Sequence, residues 1–235
     1  MKTFLYATAL LALAACTAPP LEGEGPIQDD VGRASKATLD MYGPVEDGGW
    51  TVEAIPQKYM SEDRKRQEVA YYAPYAAGTI VVDPGDKRLY HLQGDDRAVR
   101  YTVGVGKAGY DFTGEARVQY QRDWPGWTPT ANMIRREPET YEQWRGGMEG
   151  GPENPLGARA LYLYRGGRDT LYRIHGTPYP WTVGSDASSG CIRMFNQDAM
   201  YLATQVENGS RVIVLDRSEA GKWTSGSGEV YADAS

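Results

Sequence analysis

Two rhythms of apolar and polar positions run along this chain. Residues 79–83 (TIVVD) are a β-branched run that predicts a strand, followed by a Pro-Gly-Asp turn at 84–86. Residues 88–93 (RLYHLQ) and 99–103 (VRYTV) alternate, with Gly94-Asp95-Asp96 between them, so 79–103 reads as a three-stranded meander. Further strands are expected at 116–122, 159–164 and 171–175, and 211–215 (RVIVL) closes the sheet. The helical rhythm is rarer. Ala199, Met200, Leu202, Ala203 and Val206 form a helical stripe that Asn196 can cap and Gly209 can end. A shorter helix fits 31–40, and Ser61 can cap a turn within the charged stretch 61–69. Between 124 and 151 the pattern breaks into an aromatic stretch and a polar, glycine-rich one, a long insertion of the kind usually kept for function. Trp124, Trp127 and Tyr141 there can wall a cleft or fill a small core beneath the loop. The class is mainly β with a few short helices.

The chain's beginning is of another kind. Lys2 precedes a largely apolar run at 4–15, too short to span a bilayer as a stable helix but suited to a signal peptide. Leu13-Ala14-Ala15-Cys16 resembles a bacterial lipobox, which implies cleavage before Cys16 and acylation of its thiol. Several acyl chains are needed for firm anchoring, and lipoprotein maturation supplies them. Thr17 in place of aspartate favours the outer membrane by analogy with enteric sorting. The Pro/Gly/acid-rich residues 17–30 read as a tether. The expected organisation is a signal peptide at 1–15, a lipid-anchored tether and loosely packed extension at 16–77, a domain at 78–216 and a frayed polar tail at 217–235. The net charge of −6, without a basic block, argues against nucleic acid as partner.

Cysteine and histidine usage narrows the chemistry. The sequence holds 2 Cys and 2 His. With Cys16 lipidated, Cys191 is the one thiol left in an exported protein, either reactive or available for an intermolecular bridge. It lies in the stretch 172–194 (YRIHGTPYPWTVGSDASSGCIRM), which also holds His175 at a predicted strand end. A thiol is mostly protonated at neutral pH, and an imidazole can take its proton and later return it to a leaving amine. Gly190 permits a tight turn before Cys191, where a loop-to-helix approach would aim backbone N–H groups at an oxyanion. Arg193 is a candidate for a substrate carboxylate. The plain alternatives are a hydrogen-bonded structural histidine and an inert buried thiol. His91, mid-strand, reads as structural or solvent-facing. Two histidines and one free thiol fall short of a metal-ligand set. The GVGKAG segment at 104–109 lacks the Lys-Ser/Thr pair of a phosphate loop.

The same stretch resembles the L,D-transpeptidase catalytic domain, the YkuD-like or ErfK/YbiS-like family. The matching residues are Ile174-His175-Gly176-Thr177, Pro180-Trp181-Thr182-Val183-Gly184, Ser188-Ser189-Gly190-Cys191-Ile192-Arg193-Met194, Asn196 and Asp198. Outside it, 78–83, 104–107, Trp127-Thr128-Pro129 and 154–158 match as well. The resemblance implies a mixed β-sandwich or barrel with a long cleft-lining insertion, and no cofactor. It implies that Cys191 attacks the diamino acid–D-Ala bond of a peptidoglycan stem peptide, with His175 as acid/base and the amides of Gly190 and Cys191 as oxyanion hole. Arg193, Ser189, Trp127, Trp181, Gly176 and Thr177 become the candidate substrate contacts. Many members carry histidine where Ser189 stands, so an auxiliary imidazole is replaced by a hydroxyl. The acceptor amine would belong to a second stem, or to an outer-membrane protein or lipoprotein. The alternatives are a hydrolase that releases wall-linked lipoprotein and a non-catalytic wall-binding lipoprotein.

Overall fold

The structure is a computed structural model that describes residues 33–106, 112–186 and 191–224. The expectations for the signal peptide, Cys16, Ser189, Gly190 and residues 225–235 lie outside the described residues.

In chain order the elements begin with helix α1 (Lys36–Met41), whose N-cap Ser35 accepts a bond from the Thr38 amide at 3.2 Å. The hairpin β1 (Val45–Asp47) and β2 (Trp50–Val52) turns at Gly48-Gly49, both with positive φ, as a tight two-residue turn requires. Then come β3 (Gln67–Ala70), β4 (Ile80–Asp83), β5 (Arg88–Gly94), β6 (Arg97–Thr102), β7 (Gly104–Val105) and β8 (Gly114–Asp123). Two short helices, α2 (Ala131–Arg136) and α3 (Pro138–Tyr141), occupy the insertion. The chain continues with β9 (Arg159–Arg165), β10 (Arg168–His175), β11 (Ile192–Arg193), α4 (Asn196–Gln205) and β12 (Arg211–Val214).

Strands β3 to β12 form one sheet in the order β3-β6-β5-β4-β12-β8-β9-β10-β11-β7. β6 and β7 are almost contiguous in the chain, yet they stand near opposite ends of this order. The sheet therefore curls back on itself, giving the sandwich-like barrel that was expected. β4 is buried along its whole length because both its faces are covered. Ile80 and Val82 join Ala199, Leu202 and Val206 of α4 in the main core, while Val81 turns to a second core with Tyr71, Tyr90 and Trp223. Each fully buried aliphatic side chain contributes on the order of 1.5–3 kcal/mol.

The meander and the expected strands are present, and three expectations need correction. The extension is not loosely packed. Tyr42 is fully buried and donates from its hydroxyl to Asp198 of α4 at 2.8 Å, while Arg66 reaches the same carboxylate at 3.2 Å. Gln197 donates its amide to the carbonyls of Gly43 and Glu53, and β3 extends the main sheet beside β6. The segment 61–65 turns on the Ser61 carbonyl, but the Ser61 side chain does not cap it, its buried hydroxyl having no hydrogen-bond partner among the described residues. The strand expected to close the sheet, β12, does so in its middle, parallel to β4 and antiparallel to β8. The tail does not fray at 217, because Trp223 is buried against Tyr71 and Tyr75 and the Tyr72 amide donates to its carbonyl at 2.9 Å.

Candidate active site

The site is set by a parallel strand pair. β10 and β11 run side by side with Ile174 opposite Ile192 and His175 opposite Arg193. Ile174 and Ile192 point into the main core. Side chains alternate along a strand, so Arg173 and His175 on one strand, and Cys191 and Arg193 next to it, share the other face. Register thus places Cys191 beside Arg173 and one step diagonally from His175. Cys191 leads into strand β11, not a helix, as had been expected; α4 begins only at Asn196.

His175 is buried, and its carbonyl accepts from the Met194 amide at 2.8 Å, which ties the strand end down. Its Nδ1 lies 2.5 Å from the Gly176 carbonyl oxygen. A carbonyl only accepts, so Nδ1 carries the proton and Nε2 keeps its lone pair. Burial, with the charge of Arg193 adding to it, pushes the imidazole down to about 3. Cys191 is half-buried. Burial pushes its thiol up, opposed by the Arg173 main-chain N–H directed at the sulfur and by the charges of Arg173 and Arg193. Both partners rest neutral near pH 7, a thiol beside a free base.

The glycine at the hinge of the site has a packing reason. A Cβ on Gly176 would lie 2.1 Å from Oδ1 of Asn196, and one on Gly157 at 2.2 Å from the same atom. That oxygen accepts from the Ala158 amide at 3.0 Å. Asn196 therefore does not cap α4, whose N-cap is Phe195; it sits between the loop after His175 and the turn that leads into β9. Gly176 also donates its amide to Arg159, whose guanidinium holds Asp47 of the extension at 2.7 and 2.8 Å.

Cys191 borders a cavity of about 470 Å³. Trp127 lines it, packed edge-on against Tyr141 and held by paired backbone bonds to Met148. Arg173 lines it too, gripped by both carboxylate oxygens of Asp169 at 2.7 and 2.8 Å and lying 4.2 Å over the ring of Tyr162. Thr177 and Trp181 are placed elsewhere. They line a separate cavity of about 240 Å³ with Trp124 and residues 51–56 of the extension. Trp124 donates Nε1 to Asp47 at 2.7 Å. Of the three aromatics singled out in the insertion, Trp127 lines the cysteine's cavity, Tyr141 packs on Trp127, and Trp124 packs against the extension. Arg193 is half-buried, within electrostatic reach of Cys191, Tyr141 and Tyr179. Sequence reasoning missed Arg173 and Tyr162. Strand alternation two residues before His175 was the available signal for Arg173, and Tyr162 is its cross-strand partner.

Residues 77–214 match the family described as the L,D-transpeptidase catalytic domain, YkuD. The chain belongs to that family. This L,D-transpeptidase domain is 36% identical over 141 residues to a probable L,D-transpeptidase, ErfK/SrfK, of Escherichia coli, covering 59% of this chain and 44% of the relative. It is 32% identical over 171 residues to the probable L,D-transpeptidase YbiS of Escherichia coli, covering 72% and 51%. The chain thus spans about half the length of these relatives. Among solved structures, a Brucella melitensis chain titled a probable carnitine operon oxidoreductase is 47% identical, with 67% of this chain and 98% of that one covered and a TM-score of 0.47. L,D-transpeptidase 3 of Mycobacterium tuberculosis matches at 16% identity, 59% and 61% coverage and a TM-score of 0.41.

Proposed function

We propose that this protein is a peptidoglycan L,D-transpeptidase with Cys191 as nucleophile and His175 as acid/base. The observation that carries the reading is the shared face of β10 and β11, where a thiol and an imidazole with a free Nε2 sit diagonally on paired strands beside an open cavity. The donor is a tetrapeptide stem. The Cys191 sulfur attacks the carbonyl carbon of its diamino acid as the thiol proton passes to Nε2 of His175. The tetrahedral intermediate collapses, the C–N bond to D-Ala breaks, and His175 gives that proton to the departing amine. A thioester remains. An acceptor amine attacks it, its proton passes through His175 to the sulfur, and the thiol is restored with a new amide formed. The amides of Gly190 and Cys191 would stabilise the oxyanion, and Arg193 would hold the loop or a donor carboxylate. The acceptor is a second stem, giving a 3→3 crosslink, or an outer-membrane protein or lipoprotein.

The expected cell location follows from the leader. Export through residues 1–15 and acylation of Cys16 would place the enzyme in the periplasm on a lipid anchor, with the outer membrane favoured. The tether at 17–30 would let the domain reach the wall.

The deciding measurement is covalent capture. Purified protein incubated with a carbapenem is expected to gain the full mass of one drug molecule, mapped to Cys191 and absent from Cys191→Ala. With tetrapeptide donor it is expected to release D-Ala and form 3→3 dimers. Tripeptide without dimers or conjugates would mean that the thioester goes to water. Absence of both the adduct and D-Ala release would overturn the proposal.

A further inference from the structure

The cavity beside Cys191 is lined by three arginines, Arg135, Arg136 and Arg173, and by no acidic residue. Arg173 is already engaged by Asp169. The other two are exposed at the last turn of α2 in the insertion, and neither has a carboxylate within ion-pair distance among the described residues. Arg135 donates only to the neutral Asn132 side chain. Thr130 caps α2 at its other end, accepting from the Met133 amide at 3.2 Å, and Met133 and Ile134 are buried beneath it. The helix is thus docked by its apolar side, with its two guanidinium groups left at the cavity. Cations at a helix C-terminus also suit the helix dipole, which would account for their charge but not for their place at the cavity with the nucleophile.

The stem peptide is an anion of matching character. Its donor form carries free carboxylates on D-Glu, on the far end of the diamino acid and on the terminal D-Ala. We infer that Arg135 and Arg136 form a carboxylate-reading clamp for the donor stem, so that the insertion selects a charged stem over an amidated one. Arginine suits the task because its planar fork matches a carboxylate with two parallel hydrogen bonds. The inference rests on the transpeptidase reading for the identity of its ligand. It does not need turnover, since it concerns binding. The two arginines are binding residues, separate from the groups that move the proton.

The test is equilibrium binding of a tetrapeptide stem to full-length Cys191→Ser protein, which cannot be acylated through that sulfur. Adding Arg135→Gln and Arg136→Gln is expected to weaken binding of the carboxylate form by about tenfold or more. It should leave binding of a fully amidated stem unchanged, and lysine at both positions should restore part of the loss. Singly amidated stems then show which carboxylate is read. Equal binding by the arginine pair and the glutamine pair, or an equal loss on the amidated stem, would overturn the clamp. An unchanged rate of Cys191 alkylation by neutral iodoacetamide in the Arg135→Gln, Arg136→Gln protein with its cysteine intact checks that the site still forms. Should the stem bind as expected while the unsubstituted enzyme takes no carbapenem and releases no D-Ala, the transpeptidase reading falls and the clamp stands.

Discussion

His175 arrives at its strand end with Nδ1 committed to the Gly176 carbonyl, which leaves one basic nitrogen in a buried setting. An imidazole of ordinary pKa, near 6.5, would lose its base function as pH falls through the mid-sixes. Here burial pushes it down to about 3, so the base stays unprotonated well into acid. The thiol is displaced the other way, so its ionisation falls above the ordinary cysteine range. The expected kcat/KM profile is therefore flat from about pH 5 to pH 8, with the acid limb below. A rate profile with an acid midpoint between about pH 6 and 7 would show that the imidazole is solvated in the working enzyme. The chemical pair was legible in the sequence, since Cys191 and His175 were the rare reactive types in one stretch. Their surroundings were less so. Thr177 and Trp181 lie close in sequence to His175, but the chain turns after Gly176 and carries them to the other cavity. Arg173, hidden by being an ordinary strand arginine, comes beside the sulfur only through the parallel register.

Among the elements, strands were read well because their alternation is local, and α4 was found by its stripe. What failed were readings that depend on a distant partner. Asn196 looked like a cap, and its side chain is instead consumed by the Ala158 amide. Trp223 sat in a polar run with no periodicity, and it is buried because residues 71–75 provide a place for it. The extension showed mixed signals since its apolar residues, Tyr42, Ile55 and Met60, face Val183 and Phe195 of the domain rather than one another along a helix. The join at α4 is polar and buried. Tyr42 donates to Asp198, accepts from the Arg66 amide at 2.6 Å, and shares the carboxylate with the Arg66 side chain. Tyr42→Phe removes one donor to a buried carboxylate and is expected to destabilise the protein by roughly 1–3 kcal/mol. Denaturant titration would show this as a lower midpoint at unchanged slope; no change in midpoint would mean that the hydroxyl is dispensable to the join.

For the molecule as a whole, the boundary drawn by family resemblance is narrower than the folded unit. A chain beginning at Ala77 keeps the family segment but loses β3 and, with Tyr42 and Arg66, both partners of the Asp198 carboxylate. Breaking a buried charged contact costs about 3–5 kcal/mol. For a domain of this size that corresponds to a Tm about 10 °C lower, and the exposed flank of β6 adds an edge prone to association. A melting curve within about 2 °C of the full chain would show that the extension is an accessory.

The position of β12 bears on when the enzyme can come into being. Its hydrogen bonds fill the slot between β4 and β8, and it is the last strand in chain order among the described residues. Until Arg211–Val214 emerges, two long edges face each other across a gap of about 10 Å with nothing to bridge them. A chain cut before Arg211 is thus expected to leave one side of β4 and one side of β8 as open edges, and to associate through them.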